Sequence, residues 1–293
     1  MLLTYEQQKD LVKQKLATVS SNGNLDTFKY AKRVMFDYLW DTNDGLMECR
    51  GHTYNNQTGE LVVAPPRKSF NYLENGWWKD KPLDTPVIAY KKYNGFMACM
   101  SLTDDGKKVI IRTTGSTKSD FVHMAESWLD PIGCMKYMDP DYTYLYEIVD
   151  QEDPHIVEEP LGEHYLGRRN KKTGAFEPFG VGPQDVYLGT LKGILAIAEI
   201  NQGEGFMVYD LHNDPMRLAP AKIKTPYYVG KKKLMRAGKN VVESMYCDPR
   251  GYELNYLPKM YTGVAQKIVS TYGKQFWLEL NDQARRKVIE AII

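Results

Sequence analysis

The tightest constraint on this chain lies in its first third. Two apolar runs, Val87-Ile88-Ala89-Tyr90 and Phe96-Met97-Ala98-Cys99-Met100, are separated only by a short link that ends in Asn94-Gly95. An Asn-Gly pair between apolar runs favours a tight turn, so the segment reads as strand, turn, strand. Taken alone, Lys92-Tyr93-Asn94-Gly95 is most simply a hairpin turn carrying a surface lysine. The alternative is chemical, because Lys92 closes a buried strand whose apolar flanks would hold its backbone rigidly. Desolvated there, or placed beside other cations, its amine would have a lowered pKa and act as a nucleophile.

Short strands cut by turn residues recur along the chain. Thr4-x-x-Gln7 opens a capped amphipathic helix through Leu11, Val12, Leu16 and Val19. After a loop at 20–24, Phe28, Ala31, Met35 and Leu39 predict a second helix packed on the first. Strands are predicted at 47–54 and 61–64 around the 55–59 turn, and at 95–102 and 108–113 around Asp104-Asp105-Gly106. Others follow at 142–149 (turn at 150–154), 164–169 (turn at Lys172-Thr173-Gly174), 206–209 and 216–224. Ser119 is expected to cap a short helix through Phe121, Met124, Ala125 and Trp128. The stretch 191–200 is a mostly apolar helix, and beyond Val229 the pattern turns helical, most clearly at 263–272 and 281–292. Antiparallel strands mixed with helices imply an α+β domain with a small helical tail.

With 293 residues, 43% of them hydrophobic and 12% aromatic, the chain can bury a large core, and wholesale disorder is excluded. Apolar runs such as Ile194-Leu195-Ala196-Ile197-Ala198 are too short to cross a bilayer, and the first residues lack the pattern of a secretory signal. Cys49, Cys99, Cys134 and Cys247 have no Cys-x-x-Cys spacing. They read as reduced, mostly buried thiols of a cytoplasmic protein, in the host cytoplasm should the source be viral. His52, His123, His155, His164 and His212 show no metal-ligand spacing. Trp77-Trp78 and the tyrosines could stack bases, but core or loop anchoring is the simpler reading for the tryptophans. A formal net charge of +1 selects no partner. Its distribution says more: 139–163 is acidic, whereas Lys222, Lys224, Lys231, Lys232, Lys233, Arg236 and Lys239 follow one another with no acid between them. Such a stripe either tracks a phosphate backbone or forms a solvated face.

Three further segments bear on Lys92. Glu147 lies inside the apolar strand Tyr146-Glu147-Ile148-Val149, and Glu204 stands before Gly205 at a strand start, where glycine allows close backbone approach. In Lys222-Ile223-Lys224 the period of two puts both ammonium groups on one sheet face. Paired lysines suit a triphosphate, and two carboxylates suit a hydrated magnesium ion. Singly, each could be an exposed charge; their order and combination carry the information.

That order resembles the covalent nucleotidyltransferase superfamily of ATP-dependent RNA and DNA ligases and mRNA capping enzymes. Lys92-Tyr93-Asn94-Gly95 is similar to motif I, Glu147 to motif III, Glu204-Gly205 to motif IV and Lys222-Ile223-Lys224 to motif V. Within it, the chain from about 28 to 230 resembles the bacteriophage RNA ligase 1 family. The supporting stretches are Arg50-Gly51, Pro66-Arg67-Lys68-Ser69-Phe70-Asn71, Gly115-Ser116-Thr117-Lys118-Ser119, Arg169-Asn170-Lys171-Lys172-Thr173-Gly174, and Lys222 through Val229.

The resemblance implies an α+β, ATP-grasp-like ligase domain of antiparallel sheets flanked by helices over 1–238, with a helical C-terminal domain at 239–293. It implies an ATP-dependent RNA ligase, with Mg²⁺ (or Mn²⁺), that is expected to be a monomer and to join 5′-phosphate to 3′-hydroxyl RNA ends away from any membrane. Lys92 would become the AMP-linked lysine, and Lys222 and Lys224 would neutralise phosphate charge. Arg50, Lys68, Phe70, Asn94, Gly95, Lys118, Glu147, Arg169 and Glu204 would surround the nucleotide. Glu204, Glu147 and, through water, Asn94 would hold the metal. Two departures stand out: Asn94 replaces the usual Asp, and Thr114 stands where the family often has lysine, so that Lys118 would supply the charge. Lys91 adjoins Lys92, but only Lys92 puts Asn94 and Gly95 at the expected offsets. The lack of a recognisable all-β module after motif V argues against a replicative DNA ligase or capping enzyme. The rivals are an RNA-binding protein on the same fold that has lost catalysis, and a GTP-using capping-type enzyme.

Overall fold

The computed structural model describes residues 2–74, 76–103, 106–116, 118–153, 155–180, 182 and 185–293. Asp104 and Asp105 of one expected turn, Pro154 of another and Thr117 lie outside the described residues. In chain order the strands are β1 (Ala17–Asn22), β2 (Leu25–Tyr30), β3 (Arg50–Asn55), β4 (Leu61–Val63), β5 (Phe70–Asn71), β6 (Pro86–Lys92) and β7 (Phe96–Leu102). They continue as β8 (Val109–Thr113), β9 (Tyr142–Val149), β10 (Gly162–Asn170), β11 (Phe176–Pro178), β12 (Val186–Thr190), β13 (Gly205–Asp210) and β14 (Ala221–Lys224). They form three sheets, ordered β1-β2-β3-β4, β12-β6-β13-β14-β5 and β11-β10-β9-β7-β8. Pairing is antiparallel except for β14 with β5.

Most strands and the helices at Asp120–Trp128, Leu191–Ile200, Val264–Thr271 and Asp282–Ile292 fall where the periodicity places them. The amino-terminal reading does not. The first helix, capped by the expected Thr4/Gln7 box, ends at Lys13, and Lys15 takes a left-handed conformation (φ 59°). Leu16 and Val19 therefore leave the helix, and 17–30 forms a hairpin instead of a loop and a second helix. Its two-residue Gly23-Asn24 link, with Gly23 at φ 60°, is a hairpin turn signal. Only a short helix, Lys32–Phe36, remains of the second. In the expected 216–224 strand, only Ala221–Lys224 pairs, and Thr225 caps a helix (Pro226–Met235) that begins before Val229.

Alternation along the strands sorts the middle sheet into two faces. Val87, Ala89, Phe206, Val208, Ala221 and Ile223 pack against the helix Leu191–Ile200. The alternate residues Tyr90, Lys92, Met207, Tyr209 and Lys222 turn the other way, toward the third sheet. On that sheet's outer face, Ala98, Met100 and Ile148 pack with Ala125 and Leu129 of the helical segment behind them. Lys92 to Gly95 is not a hairpin turn. β6 pairs with β12 and β13, whereas β7 pairs with β8 and β9, so this link hands the chain from one sheet to the next. Gly95 is required there because a Cβ would run into the Ile148 carbonyl oxygen.

The carboxyl-terminal helices share a core with Tyr228, Leu234, Met235 and Ala237, all before the expected 238/239 division. That core also takes in Ile156 and Val157 from the link after β9. Among the described residues, no helix is long and apolar enough to cross a membrane.

Candidate active site

The inner faces of the second and third sheets enclose a cavity of about 340 Å³. Register places its charges in rows. Gly205 lies opposite Lys92 on one side and Lys224 on the other, and Met207 opposite Tyr90 and Lys222. From the third sheet, Met97 lies opposite Glu147. Gly205 sits at φ 140°, with β14 so close that a Cβ would meet the Ile223 carbonyl. The absence of a side chain there brings the two lysine-bearing strands together.

Lys92 Nζ forms an ion pair with Glu204 Oε1 at 3.0 Å; its side chain is 22% exposed and that of Glu204 5%. Burial works against the ammonium, but the neighbouring Glu147 and Glu204 carboxylates outweigh it and raise the Lys92 pKa. This corrects the sequence expectation of a lowered pKa. The amine is thus favoured as an ammonium, and it would be available as a nucleophile only if the carboxylate charge beside it were neutralised or diverted. Glu147 accepts the Gly95 N–H at 3.1 Å. Burial raises its pKa, against the influence of Lys92 and with that of Glu204. Lys91 points away by strand alternation, and its ammonium is held by Glu159 at 2.8 Å.

Asn94 braces this cluster. Its Oδ1 accepts the backbone N–H groups of Ile156 (2.8 Å) and Val157 (3.0 Å), and its Nδ2 donates to Glu204 Oε2 at 3.1 Å. The opposite amide orientation would set NH₂ against two N–H donors, so the partners fix the assignment. With its oxygen spent on backbone and its nitrogen turned to Glu204, Asn94 does not fit the expected water-mediated metal contact. It is a clamp on Glu204. Asn94→Ala would strand two buried donors, and is expected to lower stability by about 2–4 kcal/mol, read by chemical denaturation.

Opposite the carboxylates lies a group of cations. Lys222 is pushed down to about 7 by burial first, then by Lys68, Arg50 and Lys224. Burial likewise lowers Lys68, Lys224 and Arg50. Crowded away from water, such cations either give up protons or gain from an incoming anion, so this end of the cavity suits an anionic group. Among the described residues no cluster of three or more His, Cys, Asp or Glu is suited to a metal. The carboxylates Glu147 and Glu204, two acids that share the Lys92 ammonium, fit a hard divalent ion that keeps most of its waters.

Four other expected nucleotide contacts do not point into the cavity. Arg169 borders the cavity, but its guanidinium is committed to both Glu48 carboxylate oxygens (3.1 and 2.9 Å), Gly174 O and Pro65 O. It is a buried strut beneath the floor. Phe70 packs edge-on against Trp40 at 5.4 Å and does not line the cavity. Lys118 is exposed and away from the lining, where Thr114 is found. Lys68 also lies outside the lining; it rests over Phe70 (4.7 Å) and acts on Lys222 by charge.

Sequence reasoning missed the apolar end of the cavity, formed by Tyr90, Met97, Leu145, Tyr165, Phe176, Phe179, Met207 and Tyr209. A largely aromatic chamber bordered by cations suits a nucleotide. Counting back by two from Lys92 to Tyr90, and forward from Gly205 to Met207 and Tyr209, would have found part of it.

No family model matches the sequence, and no curated protein matches it. Solved structures do match in fold. Two structures of an archaeal ATP-dependent RNA ligase align with TM-scores of 0.54 and 0.51 at 14% and 16% identity, covering 90% and 98% of this chain and 75% and 76% of those chains. A protein provisionally described as an ATP-dependent DNA ligase from Aquifex aeolicus aligns with a TM-score of 0.52 at 16% identity, over 91% of this chain and 73% of its own. The α+β fold, antiparallel sheets flanked by helices, is shared with these ligases.

Proposed function

We propose that this chain is an ATP-dependent RNA ligase that works through a lysyl-AMP intermediate. The observation that carries the reading is the placement of Lys92 Nζ, 3.0 Å from Glu204, on the sheet face that also presents Lys222 toward the aromatic chamber. The fold shared with ATP-dependent ligases supports it, as does the motif order that resembles the bacteriophage RNA ligase 1 family.

With adenine in the aromatic end, the phosphates would reach Arg50, Lys222 and Lys224. The Lys92 amine, once deprotonated, would attack the α-phosphorus, forming the N–P bond as the P–O bond to pyrophosphate breaks. Lys222 and Lys224 would balance the charge gathering on the departing pyrophosphate. The AMP would then pass to a 5′-phosphate of RNA, releasing the lysine. A 3′-hydroxyl would displace AMP to form the phosphodiester. A divalent ion held through water by Glu147 and Glu204, when bound, would draw off charge on the phosphate oxygens. Glu204 is also the Lys92 counterion, so this chain's residues couple the charge state of the carboxylates to the freedom of the amine. We place the seam between the catalytic unit and the helical tail near 225, where the tail core begins, instead of at 238.

The test is covalent labelling. Incubated with α-labelled ATP and Mg²⁺, the protein should take up a label that survives denaturation, maps to Lys92 and not Lys91, and is passed to 5′-phosphorylated RNA. Labelling by GTP alone would indicate a capping-type enzyme, transfer only to DNA ends a DNA ligase, and no label a binding protein.

A further inference from the structure

The last helix, Asp282–Ile292, reaches the link between β9 and β10, where the described residues form neither helix nor strand. The course of that link is therefore set by side chains from elsewhere. Arg286 Nη1 donates to the His155 carbonyl at 3.2 Å. Its Nη2 lies 3.3 Å from Glu158 Oε1, but that carboxylate is 78% exposed and holds it weakly. Glu290 Oε1 is 3.9 Å from Arg286 Nε and is engaged more closely, at 2.8 Å, by Lys231. The carbonyl contact is the informative one. His155 C=O and Ile156 N–H belong to a single peptide unit, which is planar and carries the two groups on opposite edges. The Ile156 N–H donates to Asn94 Oδ1 at 2.8 Å. One rigid plane is thus gripped by the tail at one edge and by Asn94 at the other. Asn94 in turn donates to Glu204 Oε2 at 3.1 Å, and Glu204 Oε1 stands 3.0 Å from Lys92 Nζ. A guanidinium on the carbonyl also polarises the peptide and strengthens its N–H as a donor.

We propose that Arg286 is a positioning residue for the Lys92–Glu204 pair, acting through the 155–156 peptide and Asn94. With Arg286 in place, the peptide presents its N–H to Asn94, and the Asn94 amide stays turned toward Glu204. Rotating the plane away from Arg286 pulls that N–H off Asn94, and Glu204 loses a fixed donor. Docking of the last helix is thereby felt at the Lys92 amine. The use of the pair in lysyl-AMP formation rests on the ligase reading; its coupling to Arg286 does not.

The experiment reads the Lys92 amine in the full chain without nucleotide, as the rate of its acetylation by acetic anhydride against pH, mapped by mass spectrometry. Glu147, Glu204, Arg50 and Lys224 are the charged groups that act on Lys92. When Glu204 drifts from it the ammonium loses support, so below its pKa more free amine is present. Arg286→Ala should acetylate at Lys92 about threefold faster near pH 9, the equivalent of a fall of about half a pH unit. Arg286→Lys keeps one donor for the carbonyl and should restore the wild-type rate. Asn94→Ala should also acetylate faster, and adding Arg286→Ala to it should change nothing further. A merely looser tail is separated by Arg285→Lys. Arg285 donates to the Trp277, Met235 and Ala237 carbonyls, whose residues all belong to the tail core. Its variant should lower the Tm and leave Lys92 acetylation in place. With ATP and Mg²⁺, Arg286→Ala should take up label roughly tenfold more slowly despite its freer amine, because Glu204 no longer holds its place. Unchanged acetylation in Arg286→Ala, or an equal rise in Arg285→Lys, overturns the proposal. A wild type that takes up no label defeats the ligase reading instead, and the acetylation rates still decide the role of Arg286.

Discussion

Lys92→Ala should abolish covalent labelling by ATP, by a factor of at least about 10⁴, while noncovalent ATP binding changes only a few-fold. Lys91 cannot substitute, because strand alternation turns it away and Glu159 holds it at 2.8 Å. Lys92→Arg should be equally inactive, since a guanidinium keeps its proton. The same substitution has a second signature. Lys92 is the cation shared by two buried carboxylates, and its loss leaves Glu147 and Glu204 facing each other with only the Arg50 charge and the Gly95 and Asn94 hydrogen bonds to offset them. Lys92→Ala is therefore expected to cost about 2–3 kcal/mol at neutral pH. Glu147, already raised, would rise further in the variant. A carboxyl whose folded pKa exceeds its unfolded one stabilises the fold at low pH and loses that contribution as pH rises. The deficit should thus be largest near pH 8 and shrink as the medium is acidified, as followed by denaturation at several pH values. A variant inactive in labelling but with a pH-independent stability would mean that the carboxylates do not share this cation.

Lys222→Met should slow label formation by about a hundredfold, as expected when one charge facing a transferring phosphoryl group is removed. Unlike most losses of function, this one should come with a more stable protein. Lys222 is pushed down to about 7 by burial and by the cations around it. Between that value and the ordinary lysine range, the unfolded chain binds a proton that the folded one does not, so stability rises with pH across this window. Methionine keeps the apolar stem and removes the penalty, so the Tm should increase near pH 7 and lose that slope. Triphosphate beside Lys222 would restore its proton. ATP binding near pH 8 should take up close to one proton in the wild type and much less in Lys222→Met, measured by calorimetry in buffers of different ionisation enthalpy. Equal uptake by both proteins would place the titrating group elsewhere.

Several strands were legible because their side chains alternate between a packed face and another environment, as in Val87 to Lys92. The amino terminus misled for a physical reason. Leu11 and Leu16 bury in the same core from different elements, so their spacing imitates one helix across a real break at Lys15. Lys92, Glu147, Glu204 and the 222–224 lysines were legible because charged groups at buried-strand positions need partners. Arg169 and Phe70 have the same residue types that contact nucleotides, but which atoms they meet depends on Glu48 and Trp40, far away in the chain. The function of Asn94 was hidden because its partners, Ile156 and Val157, come from a link without periodicity of its own. The aromatic chamber was unreadable in part because strand alternation yields two faces without telling which one meets another sheet.

The row of charges has a temporal side. Lys92 and Gly205 lie far apart in the chain, and Lys224 later still, in a short strand wedged between β13 and β5. A polypeptide leaving the ribosome exposes the Lys92 amine early, without Glu147, Glu204, Lys222 and Lys224, which surround it in the folded chain. Only when β14 seats does the pocket acquire its last cations. On the proposed reading, nucleotide chemistry would thereby be withheld from nascent chains until synthesis has passed residue 224.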